Sequence, residues 1–239
     1  MHIVRILALV AAFAALAMMG AAGPGTRFEI WDYRMGIGML RWATYTGIAA
    51  AVVAIILVGL LAVKQWRGHA WMPVVTLIVA LVAIAPPLTL LAKAKSVPPI
   101  HDITTDMADP PAFVALMEAR TASPNGATYG GEAVAKQQEA AYPDIKPLVM
   151  KDAPAAVTQR AANVARSLGW AVVAADPMSG RIEATATTGW FGFKDAIVVR
   201  VRPEASGGSR LDVRSMSRVG RSDIGTNAAR IRDFLGRLG

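Results

Sequence analysis

The sequence predicts membrane helices plus an α+β domain. Three transmembrane helices come first, and a small antiparallel-sheet domain of order α-β-β-β-β-α follows, with its helices on one face. Three observations carry this. Three long apolar runs lie before residue 96, and none follows. Hydrophobic residues make up 54% of the chain and the mean hydropathy is +0.40, values of a membrane protein rather than a small enzyme. Beyond residue 170, apolar and polar residues alternate with the two-residue period of half-buried strands.

The apolar runs cover about 6–22, 46–63 and 72–92. Each is close to the ~20 residues a helix needs to cross a ~30 Å hydrocarbon core. Pro86 and Pro87 remove two backbone donors from the third run, which predicts a kink or an early exit there. The first run has two readings. Arg5, an apolar stretch and Gly20-Ala21-Ala22 fit a cleaved secretory signal, while the two spans that follow favour a retained helix. Both readings put the C-terminal domain outside the cytoplasm.

The net charge is +8. Up to Lys95 the cations are Arg5, Arg27, Arg34, Arg41, Lys64, Arg67, Lys93 and Lys95, against only Glu29 and Asp32. Most of the excess therefore flanks the apolar runs, where Lys and Arg anchor helices and set orientation. Beyond residue 95 the two signs nearly cancel, so no nucleic-acid partner is expected. An inside N-terminus makes the link KQWRGH (64–69) a short basic cytoplasmic turn. The same orientation leaves Arg27, Arg34, Arg41, Lys93 and Lys95 outside, against the usual bias. The mixed segment 26–44, with Trp31, Tyr33 and Trp42, then reads as an interfacial element in the headgroup zone. The expected location is a bacterial inner membrane, crossed several times, with the soluble domain periplasmic.

The chain has no cysteine, which excludes disulfides, thiolate nucleophiles and Cys-ligated zinc. Domain limits are expected at 1–95 for the membrane part, 96–151 for an extended proline-rich lead-in and loop, and 152–239 for the compact domain. In the lead-in, Pro98-Pro99 and Pro110-Pro111 force extended backbone, 113–120 has the pattern of a short helix, and 123–131 reads as a loop. Pro154 suits the first turn of a helix whose Val157, Ala161, Val164, Ala165 and Leu168 share a face, with Gly169 just past its end. Strands are expected over 170–176, 181–188, 196–202 and 210–216. Ile182, Ala184, Ala186, Ile197, Val199, Val201, Leu211 and Val213 point inward. A final helix presents Ile231, Phe234, Leu235 and Leu238. A symmetric last hairpin sets Arg200 opposite Asp212 on the polar face, which this reading leaves open to solvent.

Three groups are candidates for function. Arg214, Arg218 and Arg221, with Ser215, Ser217 and Ser222, precede the last helix, where guanidinium forks and hydroxyls suit an anionic group. Their alternative role is to pair with Asp195, Asp212 and Asp223. Trp190, Phe191 and Lys194 lie in a glycine-flanked aromatic loop that can grip a partner or a headgroup layer, or close the end of the core. His101 with Asp102 and Asp106 is the one His-carboxylate cluster in the soluble part; its carboxylates otherwise cap turns. No P-loop, HExxH, GxSxG or Ser-His-Asp order is present, and no cofactor or metal is expected.

The segments PPIHDITTD, DPPAF, TGWFGFKDAIVVRVRP and GSRLDVRSMSRVGRSDIGTNAARI resemble the domain-of-unknown-function family numbered 1499, over about 98–238. The resemblance implies one compact domain of a membrane-anchored, proteobacterial type and supplies no activity, cofactor or catalytic residue. The expected function is therefore non-enzymatic: a membrane-anchored envelope protein, in contact with membrane lipid, whose soluble domain binds a protein partner or an anionic envelope ligand. Two alternatives are an enzyme using His101 with Asp102 or Asp106, and an assembly factor for a membrane complex acting through its helices.

Overall fold

The computed structural model describes residues 1–64 and 69–239. The chain divides into two units: Met1–Lys93 with Gly189–Gly192, and Ala94–Thr188 with Phe193–Gly239.

The first unit is built on three helices, α1 (His2–Arg27), α2 (Tyr33–Lys64) and α3 (Trp71–Ser96). All three are long and apolar enough to cross a membrane. They exceed the apolar runs at both ends because a helix continues through its polar flanks until something stops it. The segment read as interfacial is thus divided: 33–44 forms the first turns of α2. Pro86 and Pro87 do not end α3, which runs on to Ser96. The basic link after α2 lies mostly at 65–68, outside the described residues. Ala12, Ala50, Ala51 and Ala80 form a buried cluster drawn from all three helices. Small side chains there let the backbones approach, as helices in lipid require.

The second unit centres on a six-stranded antiparallel sheet. Its strands are β1 (Asp102–Thr104), β2 (Leu148–Met150), β3 (Ala171–Asp176), β4 (Arg181–Thr187), β5 (Lys194–Pro203) and β6 (Ser209–Ser217). The order is β1-β6-β5-β4-β3, and β2 pairs with the other half of the β6 edge. The last four strands form the expected meander. Gly180 turns β3 into β4 at φ +65°, and its carbonyl accepts the Val201 N–H at 2.7 Å, so a side chain there would strike the Val201 carbonyl.

Two helices, α6 (Pro154–Ser167) and α7 (Thr226–Gly236), cover one sheet face. Pro154 sits in the first turn of α6 and Gly169 follows its end at φ +75°. The inward residues read from the alternation all enter the core, with Val157, Ala161, Ala165, Ile231 and Phe234. The Trp170 and Phe234 rings stack at 5.0 Å and lock α7 to the start of β3.

The opposite face is not open. The chain after β1, up to α4 (Met117–Thr121), lies across it, and Phe113 and Leu116 bury Ala196, Val198 and Met216 in a second apolar cluster. The sequence signal is the unbroken run Ala196–Val199, which suits burial on both faces rather than alternation. Polar side chains on this face turn inward to hold the covering chain. Glu183, fully buried, accepts the N–H groups of Val114 (2.7 Å) and Leu116 (2.8 Å). Arg200 pairs with Asp212 as the register sets, and both join Arg202, Arg210, Asp106 and Asp109 in one network with contacts of 2.9–3.3 Å. The lead-in also contains two helices, α4 (Met117–Thr121) and α5 (Gly131–Ala141). α5 is fixed by buried Gln138, whose amide donates to the Thr104 carbonyl (2.6 Å) and accepts its N–H (3.0 Å), completing the outer edge of β1.

Replacing Glu183 by Ala leaves the buried Leu116 N–H and the part-buried Val114 N–H without their acceptor. The expected loss is ~2–4 kcal/mol, at ~1–3 kcal/mol for the buried donor and less for the other. It is read as a lower urea midpoint for the domain in the full-length protein held in nanodiscs.

Candidate functional site

Chain segments that are far apart in sequence meet at the end of β6 and enclose a cleft of about 250 Å³ within the second unit. Its wall includes His101, Asp102, Asn125, Gln137, Met216 and Arg221. β1 brings in Asp102, and α5 brings in Gln137. The loop after β6 supplies Arg221, and the loop before α5 supplies Asn125. Asn125 stitches the two loops together: its amide donates to the carbonyls of Ser217 (3.0 Å) and Gly220 (2.9 Å). The His101 carbonyl is held by the Ser217 N–H and the Asn227 amide, both at 2.9 Å. Its ring Nδ1 lies 3.4 Å from the Arg221 carbonyl.

Asp102 at the base is taken up by Arg214. Nε and Nη2 of the guanidinium meet the two carboxylate oxygens at 3.0 and 2.7 Å, with both side chains 4% exposed. Arg214 also donates to the carbonyls of Pro111 (3.3 Å) and Ala127 (3.0 Å). Its guanidinium packs on the rings of Phe113 (5.1 Å) and Tyr129 (5.6 Å). Burial, followed by the Asp102 charge, pushes the Tyr129 phenol up to about 12.

Arg120 of α4 stands behind the same wall. It is 0% exposed, its Nη1 donates to the Met216 carbonyl (3.2 Å), and its guanidinium lies 5.6 Å from the Phe113 ring centroid. Its Nε and Nη2 have no acceptor among the described residues. Burial pulls it down to about 10, with Asp102 opposing and Arg214 and Arg218 adding to the fall. It stays charged at neutral pH.

The six residues singled out from the sequence do not form one site. Arg221 alone lines the cleft; it is exposed and makes no ion pair among the described residues. Arg214 is buried with its fork filled by Asp102. Arg218 is partly buried and donates to the Thr185 hydroxyl at 3.1 Å. Lys194 is exposed at the start of β5, and its carbonyl accepts the Arg218 N–H. Trp190 and Phe191 group with the first unit, where their rings meet edge to face at 5.1 Å and Phe191 is buried.

The carboxylates are placed differently from the pairing the sequence suggests. Asp195 pairs with Arg230 at 2.7 Å and Asp212 joins the three-arginine network. Asp223 caps α7, accepting the N–H groups of Gly225 (2.8 Å) and Asn227 (2.7 Å), so that helix terminus already holds an anion. Burial raises the Asp223 carboxyl. Arg120, Asn125 and Gln137 were not foreseen. Arg120 had a signal: Phe113, Leu116 and Arg120 follow the i, i+3, i+7 spacing of one helix face, which places an arginine in an apolar stripe. Among the described residues no group of three His, Cys, Asp or Glu side chains is arranged for a metal.

Arg214→Met strands the Asp102 carboxylate in the interior. A cost of ~3–5 kcal/mol is expected, the range for breaking a buried ion pair from one side. Loss of the folded domain in limited proteolysis checks it, and adding Asp102→Asn to the same chain is expected to restore part of the resistance.

The sequence was compared with known protein families and with curated proteins. The family model described as a protein of unknown function (DUF1499) matches residues 102–238. No curated protein matches. The matched region takes in β1 through α7, with the buried arginines and the cleft wall from Asp102 onward, and spans more than half of the 239 residues; the chain belongs to the DUF1499 family.

Proposed function

We propose that this protein is a non-enzymatic, membrane-anchored binding protein of the bacterial envelope. Its second unit would lie on the periplasmic side of the inner membrane and take an anionic ligand, free or carried by a partner, in the cleft at His101 and Arg221. The observation that carries this reading is the charge around the cleft. Arg221 offers at its wall a guanidinium with no ion pair among the described residues, and Arg214 neutralises Asp102 at its base. The buried Arg120 adds a positive charge with no carboxylate of its own. A guanidinium at the wall of a partly enclosed space, with further buried cations behind that wall, favours an anion over water.

Binding is favoured over acid-base catalysis by the state of the carboxylates. Asp102 is saturated by Arg214, and Asp106 is engaged by Arg200, Arg202 and Arg210. The His101 ring meets a backbone carbonyl rather than an acid. A base needs a partner that orients it and a free acceptor within reach, and neither carboxylate is placed to serve.

The reading has two tests. Alkaline phosphatase fused after Gly239 is expected to be active and a fluorescent protein at the same site dark; the reverse pattern overturns the periplasmic assignment. A photo-crosslinking residue at Thr128, which also lines the cleft, is expected to give an adduct in native membranes that Arg221→Glu removes. An adduct indifferent to that charge reversal counts against the cleft as the binding site.

A further inference from the structure

The anion's own charge can be read from what surrounds the cleft. This step rests on the anion reading above and deepens it. Asp102 and Arg214 cancel, since each carboxylate oxygen is held by the guanidinium fork. Asp195, the other acid that acts on Arg120, belongs to Arg230 at 2.7 Å. Asp223 is spent on the N–H groups that open α7. Arg221 at the cleft wall, Arg120 behind Met216 and Arg218, which donates to the Thr185 hydroxyl, remain: three positive charges with no ion pair among the described residues.

Arg120 is the unusual member. It is fully buried, and two of its guanidinium nitrogens lack an acceptor. A desolvated cation without a counter-charge is costly, so an anion drawn into the adjoining cleft gains more from Arg120 than it would from a solvated surface charge. A carboxylate or a phosphate diester offers one negative charge. A phosphate monoester carries about −1.5 to −2 at pH 7, with three strong acceptor oxygens. A cleft of about 250 Å³ admits such a group with a few attached atoms and falls below the usual range for whole drug-sized ligands. The Thr128 hydroxyl and the Gln137 amide are neutral donors on its wall for the remaining oxygens.

We infer that the cleft binds a phosphate monoester, and that Arg120 is the buried positioning charge that makes it prefer a dianion to a monoanion.

The test uses the full-length protein in zwitterionic nanodiscs, with inorganic phosphate as the probe and acetate at equal ionic strength as the monoanion. Phosphate is expected to bind about tenfold or more tighter than acetate, and Arg120→Met to weaken both anions but phosphate by more, so that most of the preference is lost. Arg120→Lys, which keeps the charge, is expected to retain most of it. Equal binding of the two anions by the wild type, or a preference that survives Arg120→Met, overturns this inference and leaves the anion reading standing. Failure to bind phosphate, acetate and phosphatidic acid vesicles alike removes the anion reading itself. Should Arg120→Met not fold, Arg120→Gln serves instead and is expected to lose the same preference; a preference undiminished in a folded Arg120→Gln protein overturns the role of Arg120. The source of the monoester is read from competition: displacement of phosphate by phosphatidic acid vesicles assigns a lipid headgroup, and indifference to them assigns a soluble ester.

Discussion

The second unit depends on burying a charged sheet face with a partner for each charge that the strands β4, β5 and β6 place on it. β4, β5 and β6 place Glu183, Arg200, Asp212 and Arg214 on the face away from α6 and α7. Ionic groups lose hydration when covered, at a cost of several kcal/mol per ion unless geometry and hydrogen bonds restore it. The chain between β1 and α4 does so group by group. Asp102 fills the Arg214 fork, Asp106 and Asp109 reach the three-arginine network, and the N–H groups of Val114 and Leu116 fall on Glu183. What the sequence presents as a loose lead-in becomes a third layer over the sheet.

That layer also creates the cleft. Asp102 fixes where β1 begins against β6, and Gln138 fixes α5 beside it through Thr104. The gap between α5, the β1 entry and the loop after β6 follows from those two anchors. The arginines then differ in role by what they meet, although their chemistry is the same. Arg214 is structural because a carboxylate and two carbonyls consume its donors. Arg221 is available because no acid among the described residues reaches it. Arg120 lies between these cases, buried like the first and uncompensated like the second. Placing Arg120 and Arg214 around the Phe113 ring softens their crowding, since each cation also sees the negative face of an aromatic ring.

The first unit follows a simpler constraint. In lipid a helix must satisfy its own backbone, so length and hydropathy suffice to announce each span. Its contacts need only small residues at the crossings, and the alanines of α1, α2 and α3 meet that need. Pro86 and Pro87 read as a stop but are carried inside α3: the two missing donors weaken the ladder locally, and the turns beyond them still form their own bonds.

By itself the sequence determined the three spans, the α6–β3–β4–β5–β6–α7 order, the inward face of each strand and even the pairing of Arg200 with Asp212. These depend on local periodicity, on turn residues such as Gly169 and Gly180, and on the alternation of side chains across a strand, all written in neighbouring residues. The tertiary structure alone decided that the polar sheet face is covered, that Arg214 is consumed by Asp102, and that Arg120 rather than Arg218 stands behind the cleft with Arg221. Those outcomes join residues about a hundred positions apart. Whether a guanidinium binds a ligand or holds a fold depends on which acid arrives beside it when distant segments meet, and periodicity carries no information about that.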